Sequence, residues 1–374
     1  MTAAIWLIVI VGLLALLQAR YFTKVAFRHL HYERKIDRRA VFEGEALELQ
    51  EIISNQKLTP IPWLRVESLM SPWLRFRSQE NLEVDDDRFH RSVFYLRPYS
   101  RITRRYQVKC IRRGYYDLSI TSLTAGDLFG LDTVSQDVSS EQAKLFVYPS
   151  LLGEDELPDE ALRWQGDVSV RRWIFPDPIL INGIRGYQIG DSRKDIHWRA
   201  SARTGSLQVK THDYTVFPRL LMVFNIDPED NFWGVLSETQ QEEMEYGIRT
   251  VATLCNWAIV NNMEVGLYSN AAISYLPAAS IEIEPACNAA QMNHILEVLA
   301  GLQLKEHESI YRTLEKLVEN DTSETDILVF STFWNASMDS RCQELRRKGN
   351  SVTHITLRRE AIRFEENVDS ASAV

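Results

Sequence analysis

Cysteine is scarce in this sequence and is never closely paired. The four cysteines, Cys110, Cys255, Cys287 and Cys342, form no CxxC pair and stand far apart. Zinc ribbons and disulfide-rich secreted domains need closely spaced or numerous cysteines, so both classes are disfavoured. We therefore expect reduced and mostly buried thiols.

An excess of basic residues is also lacking. The formal net charge is -9 at pH 7, whereas a general nucleic-acid-binding protein usually has a basic face and a high pI. No G-x-x-x-x-G-K-[ST] sequence occurs, so we expect neither nucleic-acid binding nor nucleotide hydrolysis. The chain does have length and apolar content. Its 374 residues, with 45% hydrophobic side chains, suit two folded domains.

One long apolar run stands at the start of the chain. It is unbroken from Ala3 to Leu17, and Gln18–Phe22 can extend it toward the roughly 20 residues that cross a bilayer. A cleavable signal peptide would begin with Lys or Arg, and residues 1–10 contain neither. The sequence therefore predicts one transmembrane helix in residues 1–22.

The charge that flanks this run predicts its orientation. Basic side chains follow the run and none precedes it. They are Arg20, Lys24, Arg28, Arg34, Lys35, Arg38 and Arg39. By the positive-inside rule, the chain crosses the inner (cytoplasmic) membrane once and its body lies in the cytoplasm. Residues 23–40 are then a basic juxtamembrane linker that can bind anionic headgroups.

Two different patterns of apolar residues follow in the body of the chain. Residues 41–150 contain short alternating segments such as Ala46–Ile53, separated by turns and prolines, which favours an antiparallel β-sandwich. Residues 217–360 alternate between apolar strands and helices, which favours a parallel sheet covered by helices. Between them, residues 151–216 are predicted to form a connector, and residues 361–374 a disordered tail.

In the second half the expected elements are well separated. The strands are Leu220–Ile226, Glu264–Tyr268, Asp326–Ser331 and Val352–Leu357, and the helices are Glu238–Asn261, Ala289–Leu299, Ile310–Val318 and Met338–Lys348. The long first helix carries its apolar side chains on one side. Gly349 follows the last helix, where it can cap the C-terminus.

The connector contains the most distinctive segment, NGIRGYQIGDSRKDIHWRASARTGSLQVKTHDY, at residues 182–214. It is locally basic within an acidic protein. Its pattern R-G-Y-x-x-G-D-x-x-x-x-I-H-W-x-x-S-A-R resembles the signature of domain-of-unknown-function family fifty-eight. The residues that carry the pattern are Arg185, Gly186, Tyr187, Gly190, Asp191, Arg193, Asp195, His197, Trp198, Arg199, Ser201 and Arg203.

That resemblance implies a fold and a partner. Proteins of this family are membrane-anchored bacterial proteins with a von Willebrand factor A-like, Rossmann-like α/β domain beside a β-sandwich. They are often encoded next to MoxR-type AAA+ ATPases, which makes such an ATPase the expected protein partner. They commonly begin with two close hydrophobic segments, whereas this sequence shows one, so we expect its N-terminus outside the cytoplasm.

Three interpretations of the motif compete. Ser201, His197 and Asp191 or Asp195 are the residue types of an acyl-transfer triad, although a G-x-S-x-G elbow is absent.

In the second interpretation the motif is a structural latch. Arg185, Arg193 and Arg203 can pair with Asp191 or Asp195, and Ile196 and Trp198 pack beneath. In the third, the surplus arginines, Arg193 and Arg199 among them, receive an acidic partner or a phosphate.

The resemblance also raises the question of a magnesium site. A-like domains that bind magnesium carry D-x-S-x-S after the first strand, and this chain reads Asp227-Pro228-Glu229-Asp230-Asn231. Because the serines are replaced, we expect no metal and no cofactor; the alternative is weak divalent-cation binding near Asp227, since the replacing side chains still carry oxygen. The expected function is a non-enzymatic, membrane-anchored adaptor. The alternative is a hydrolase at the cytoplasmic membrane face that uses Ser201 and His197.

Overall fold

A computed structural model of the protein describes residues 2–76, 83–85, 89–174, 181–188, 191–212, 218–230, 232, 234–276 and 279–357. The predicted tail at 361–374 and the motif's Gly190 lie outside these residues. The fold is mixed α/β with several sheets. Two compact units divide the chain: Met1–Ser150 with Leu296–Leu302, and Leu151–Ile295 with Gln303–Val374.

Helix α1, Thr2–Val25, opens the first unit. Its segment Ile5–Val25 is long and apolar enough to cross a membrane, and it is the one such helix among the described residues. The large apolar side chains from Ile5 to Leu17 are each more than half exposed, so they do not form a protein core. The helix thus has the length and composition of the predicted anchor and runs three residues further than the predicted end.

The first unit is otherwise built of short strands. They are β1 Leu30–Ile36, β2 Ala40–Phe42, β3 Ala46–Asn55, β4 Ile61–Leu69, β5 Leu74–Phe76, β6 Glu83–Asp85, β7 Phe89–Leu96, β8 Arg101–Cys110, β9 Gly114–Asp117, β10 Ile120–Gly126, β11 Thr133–Ser139 and β12 Lys144–Tyr148. They form three sheets, in the orders β1-β3-β8-β5, β11-β10-β4-β7-β6 and β2-β12-β9.

Alternating apolar side chains hold the first two sheets together. Ile53 from β3 shares one buried cluster with Leu64 from β4, Phe94 from β7 and Leu123 from β10. Successive side chains of a strand point to opposite faces, so one face of each sheet enters this cluster and the other does not. All pairs within these two sheets are antiparallel, as the sequence predicts.

The structure differs from the basic linker predicted for residues 23–40. Residues 23–25 belong to α1, and β1 pairs with β3 along its whole length, with Tyr32 opposite Ile53. Arg34 is fully buried there because its guanidinium meets the carboxylate of Glu51. The charge count of the flank does not distinguish a buried, paired arginine from one that faces a membrane.

The second unit contains the remaining helices and strands. They are α2 Asp159–Ile174, β13 Ile181–Gly186, α3 Trp198–Thr204, β14 Gln208–His212, β15 Arg219–Phe224, α4 Glu238–Val260, β16 Glu264–Ser269, β17 Ala271–Ile273, β18 Ile281–Ala286, α5 Ala289–Gly301, β19 Leu302–Glu306, α6 Ile310–Glu319, β20 Thr325–Ser331, α7 Ala336–Arg347 and β21 Ser351–Thr356. Residues Leu296–Leu302, at the end of α5 and the start of β19, belong to the first unit.

A five-stranded sheet in the order β18-β16-β15-β20-β21 is the centre of the second unit. Three of its four strand pairings are parallel, and the edge strand β18 is antiparallel to β16. Helices α6 and α7 share a buried cluster with β15 and β20. Gly247 of α4 lies so close to Phe224 that a Cβ there would stand 2.9 Å from its ring. The predicted parallel strands and helices are therefore present.

The segment predicted as a connector begins with packed structure. Trp164 of α2 is 3% exposed, and its ring lies 5.7 Å from that of Trp257 in α4 with an edge-on geometry. The Tyr246 hydroxyl donates to the carbonyl of Glu156 at 2.7 Å. Residues 151–174 are therefore part of the second unit. α2 has charged residues and Gly166 among its apolar residues, so its periodic signal is weak and the sequence did not predict it.

Candidate functional site

The signature motif forms a strand pair with an inserted turn and helix. β13 and β14 are antiparallel, with Arg185 opposite Val209. Between them lie a 3-10 turn, Arg193–Asp195, and the short helix α3. Ile196 makes an isolated bridge to Val209, and both side chains are buried. This small apolar contact connects the insert back to the strands.

Arg185 and Asp191 form a forked ion pair across the first turn of the motif. Both guanidinium nitrogens, Nη1 and Nη2, lie 2.7 Å from the two carboxylate oxygens. The same carboxylate accepts the N–H of Gln188 at 2.8 Å. The Arg185 contact and then the Gln188 N–H lower the pKa of Asp191. An Arg–Asp ion pair of the predicted kind is therefore present, and it joins two residues six positions apart in the sequence.

The neighbouring motif residues contribute backbone contacts to the same turn. Gly186 ends β13 opposite Gln208, and the Tyr187 N–H donates to the carbonyl of Leu207 at 2.9 Å. Asp195 is half-buried in the 3-10 turn. These residues shape the strand ends.

His197 and Ser201 are engaged with backbone groups of the motif. His197 is the N-cap of α3, and its Nδ1 accepts the N–H of Ala200 at 3.1 Å. The Ser201 hydroxyl donates to the carbonyl of His197 at 3.0 Å and accepts the N–H of Gln208 at 2.8 Å. Among the described residues, no hydrogen bond joins the Ser201 hydroxyl to the His197 ring. A nucleophile and base need that contact, so the geometry does not form a triad.

Trp198 and four cationic side chains of the motif are exposed to solvent. Trp198 is 68% exposed, so the prediction that it packs beneath the latch is wrong. Arg193, Lys194, Arg199 and Arg203 are exposed as well. Within the described part of the chain, none of these four cations has an ion-pair partner, although pairing was predicted for Arg193 and Arg203. We call Arg193, Lys194, Trp198, Arg199 and Arg203 the motif face.

A second polar group lies at the carboxyl edge of the central sheet. Asn225 and Asn270 are fully buried at the ends of β15 and β16, and Ser331 ends β20. The Asn270 amide donates to Oδ1 of Asn225 at 2.9 Å and to Oδ2 of Asp227 at 2.8 Å. The Asn225 amide donates to the Ser331 hydroxyl at 3.0 Å. Amide groups therefore bridge the three strand ends.

Asp227 has an unusual environment within this group. Burial and the nearby Glu306 carboxylate raise its pKa to about 7, although the hydrogen bond from Asn270 opposes the shift. Within the residues that the structure describes, no three His, Cys, Asp or Glu side chains converge as metal ligands. Asn270 was missed in the sequence analysis. The sequence contains a signal for this group: polar residues directly follow three apolar strands, and the carboxyl ends of parallel strands meet at one edge of the sheet.

Comparison with known families bears on the motif. Residues 183–361 match the family described as Protein of unknown function DUF58. The match begins two residues before the motif's Arg185 and supports the family that the motif resembles. No curated protein matches the chain.

Solved structures offer only distant similarity. Salmonella α-2-macroglobulin is 17% identical over 33% of this chain, with a TM-score of 0.22, and the chain spans 7% of its length. Bacillus subtilis Spo0M, a sporulation control protein, is 13% identical over 43% of this chain and 58% of its own, with a TM-score of 0.18. Vibrio harveyi GH20 exo-β-N-acetylglucosaminidase is 8% identical over 87% and 75%, with a TM-score of 0.23.

Proposed function

We propose that this protein is a membrane-anchored, non-enzymatic adaptor whose motif face binds an acidic protein surface. The observation that carries the proposal is that some motif residues make internal contacts whereas others are exposed to solvent. Arg185, Asp191, His197 and Ser201 hold the local fold. The motif face is left exposed around Trp198.

Exposed cationic side chains together with an exposed aromatic ring suit protein recognition. Interfaces are enriched in Arg and Trp, and these residues supply most of the energetic hot spots. Arginine also pairs with carboxylates through two parallel hydrogen bonds. The chain is acidic as a whole, so a local cationic face is also a means of orienting an acidic partner.

The partner we propose is a MoxR-type AAA+ ATPase, which the family resemblance implies. The parallel strands β16, β15, β20 and β21 with helices against them support a von Willebrand factor A-like, Rossmann-like domain as the binding module. The antiparallel sheets of the first unit support a β-sandwich as the other domain. Helix α1 supports an inner-membrane anchor with the body in the cytoplasm, and the adaptor would act in assembly or remodelling of a client complex.

Photo-crosslinking in the native bacterium tests this proposal. A crosslinking amino acid replaces Trp198 in the full-length chain, and captured proteins are identified from the membrane fraction. We expect an AAA+ ATPase among them, and we expect Arg193→Glu with Arg199→Glu to abolish its capture. The matched control is Lys305→Glu with Arg347→Glu, which makes the same change of charge at exposed positions of the second unit. Capture that survives in the first variant would reject the motif face.

The hydrolase alternative has less support. Ser201 and His197 each make backbone hydrogen bonds that account for their presence. Conversion of Ser201 to Ala should leave an adaptor's phenotype intact in a folded protein, and it should abolish the phenotype of a hydrolase.

A further inference from the structure

Three loops of the first unit lie at the end from which α1 emerges. They are residues 56–60 between β3 and β4, 97–100 between β7 and β8, and 127–132 between β10 and β11. The Asn55 N–H donates to the carbonyl of Ser100 at 2.9 Å, so the first two loops are neighbours. Strand pairing sets Gly126 opposite Trp63, which brings the third loop to the same end.

Direct contacts join these loops to the C-terminal turns of α1. The Lys57 ammonium donates to the carbonyl of Val25 at 2.6 Å and also to that of Ala26. The Thr23 hydroxyl donates to Oδ2 of Asp132 at 3.1 Å. Lysine at a helix C-terminus satisfies carbonyls that lack partners in the helix. The helix is therefore fixed to the loops and is not a free tether.

The first unit also covers the side of α1 well before the helix ends. Ala19 is 2% exposed, whereas Leu16 and Leu17 are 61% and 59% exposed. Both polar atoms of the Gln18 side chain are buried. From Gln18 to Val25 is about 10 Å along a helix at roughly 1.5 Å per residue. The depth follows from the proposed membrane anchor, on which this inference rests: with Ile5–Val25, which is long and apolar enough to cross a membrane, as that anchor, this end of the unit reaches the membrane interface.

Each of the three loops presents large apolar side chains to the outside. Leu58 is 73% exposed on the first loop and Tyr99 is 71% exposed on the second. On the third, Leu128, Phe129 and Leu131 are 60%, 70% and 59% exposed. Scattered single apolar residues are normal on a surface, but a group of them at one end marks an interaction site.

The third loop is held in a defined shape that turns its apolar residues outward. The buried Asp127 carboxylate accepts the N–H of Phe129 at 2.9 Å and that of Asp132 at 3.0 Å. The Trp63 indole N–H donates to the carbonyl of Asp127 at 3.1 Å. These bonds order the loop before anything binds it, which lowers the entropic cost of binding.

We propose that these loops insert Leu58, Tyr99, Leu128, Phe129 and Leu131 into the interfacial layer of the bilayer that α1 spans. Interfacial segments bury apolar side chains about 5–10 Å into the headgroup and acyl boundary. Tyrosine is favoured at that level. Exposed Lys24, Arg28, Arg97 and Arg101 lie at the same end of the unit and attract anionic headgroups. The occupant is thus lipid, and the first unit is docked on the membrane in one orientation.

Fluorescence quenching of the full-length chain in liposomes of phosphatidylethanolamine and phosphatidylglycerol tests this docking. Cys287, the one cysteine that is not fully buried, is changed to Ser. A bimane label is then placed at Phe129→Cys or Leu58→Cys. The matched control is Ile120→Cys, because Ile120 is 66% exposed at the other end of β10, roughly 20 Å away at about 3.3 Å per residue.

We expect nitroxide-labelled lipids to quench the label at 129 and at 58 at least about twofold more than the label at 120. Aqueous iodide should show the reverse order. Equal lipid quenching at 129 and 120 would overturn the proposal. So would protection of 129 from iodide without lipid quenching, which would indicate a protein cover. Two independent label positions keep the test valid if one variant fails to insert.

Discussion

The guanidinium of Arg34 and the carboxylate of Glu51 meet at 2.6 Å with neither side chain exposed to solvent. Arg34 also donates to the carbonyl of Leu118 and to the hydroxyl of Ser68. Glu51 accepts the hydroxyl of Tyr32 at 3.1 Å. Burial and the Glu51 charge raise the pKa of Tyr32, which keeps its hydroxyl protonated as a donor. The polar atoms of this charged pair, except Nε of Arg34, are hydrogen-bonded within the unit, and these bonds accommodate the pair in the interior.

Removal of one member of this pair should destabilise the first unit strongly. Arg34→Met leaves the Glu51 carboxylate buried without its cation, which typically costs about 3–5 kcal/mol. The double variant Arg34→Met with Glu51→Leu should be less destabilised than Arg34→Met, because no uncompensated charge remains. Urea titration of the detergent-solubilised full-length chain measures both. As control, Arg105→Met removes a 67% exposed partner of Glu48 and should cost less than about 1 kcal/mol. Equal losses for Arg34→Met and Arg105→Met would contradict this argument.

Arg34 also explains why β1 was not predicted from the sequence. Alternation of apolar side chains predicted most of β3, because Leu47 and Leu49 recur at buried positions. β1 carries Arg34 at a buried position, and a charge in a predicted strand suggests solvent unless its partner is known. Glu51 lies 17 residues further on, and nothing in the sequence links the two.

Asp227 should make the stability of the second unit depend on pH. Its pKa is about 7 in the folded chain, above the ordinary value near 4. Between roughly pH 4 and 7 the folded state binds a proton that the unfolded state has released, so stability falls as pH rises through this window. Asp227→Asn removes the ionisable group and keeps an acceptor for Asn270. We expect parent and variant to unfold at similar temperatures near pH 5, and the variant to be the more stable above pH 7.

A neighbouring substitution controls for general charge effects on that comparison. Glu229→Gln makes the same change of charge at an exposed position of the same loop. Its effect on the unfolding temperature should be equal at pH 5 and pH 8. If the stability difference between Asp227→Asn and the parent is also independent of pH, then burial does not hold Asp227 protonated.

In the second unit the helices and parallel strands were predictable because their apolar residues recur with a regular period. Leu220–Ile226 was predicted and β15 is Arg219–Phe224; Ile310–Val318 was predicted and α6 is Ile310–Glu319. The candidate site was less predictable. Which motif arginine takes Asp191 depends on the register of β13 and β14, and the solvent position of Trp198 depends on how α3 leaves the strand.

The Arg185 fork should control the rigidity of the motif turn. Lysine keeps the charge at this position but cannot make two parallel hydrogen bonds to Asp191. Arg185→Lys should therefore speed hydrogen exchange in peptides that cover residues 183–192, as measured by mass spectrometry. Arg193→Lys, an equivalent substitution on the motif face, should leave the exchange unchanged. Unaltered exchange in Arg185→Lys would show that the ion pair does not order the turn.

Substitutions of His197 distinguish a structural role of this residue from a catalytic one. Its Nδ1 caps α3, and asparagine is a favourable N-cap whose side-chain oxygen accepts the same N–H. His197→Asn should therefore retain stability and capture of the partner, whereas His197→Ala should lose about 1 kcal/mol of stability. A hydrolase that uses the imidazole as a base would lose its function in both variants, because neither asparagine nor alanine can take the proton. Loss of function in a fully folded His197→Asn protein would thus favour catalysis over the adaptor.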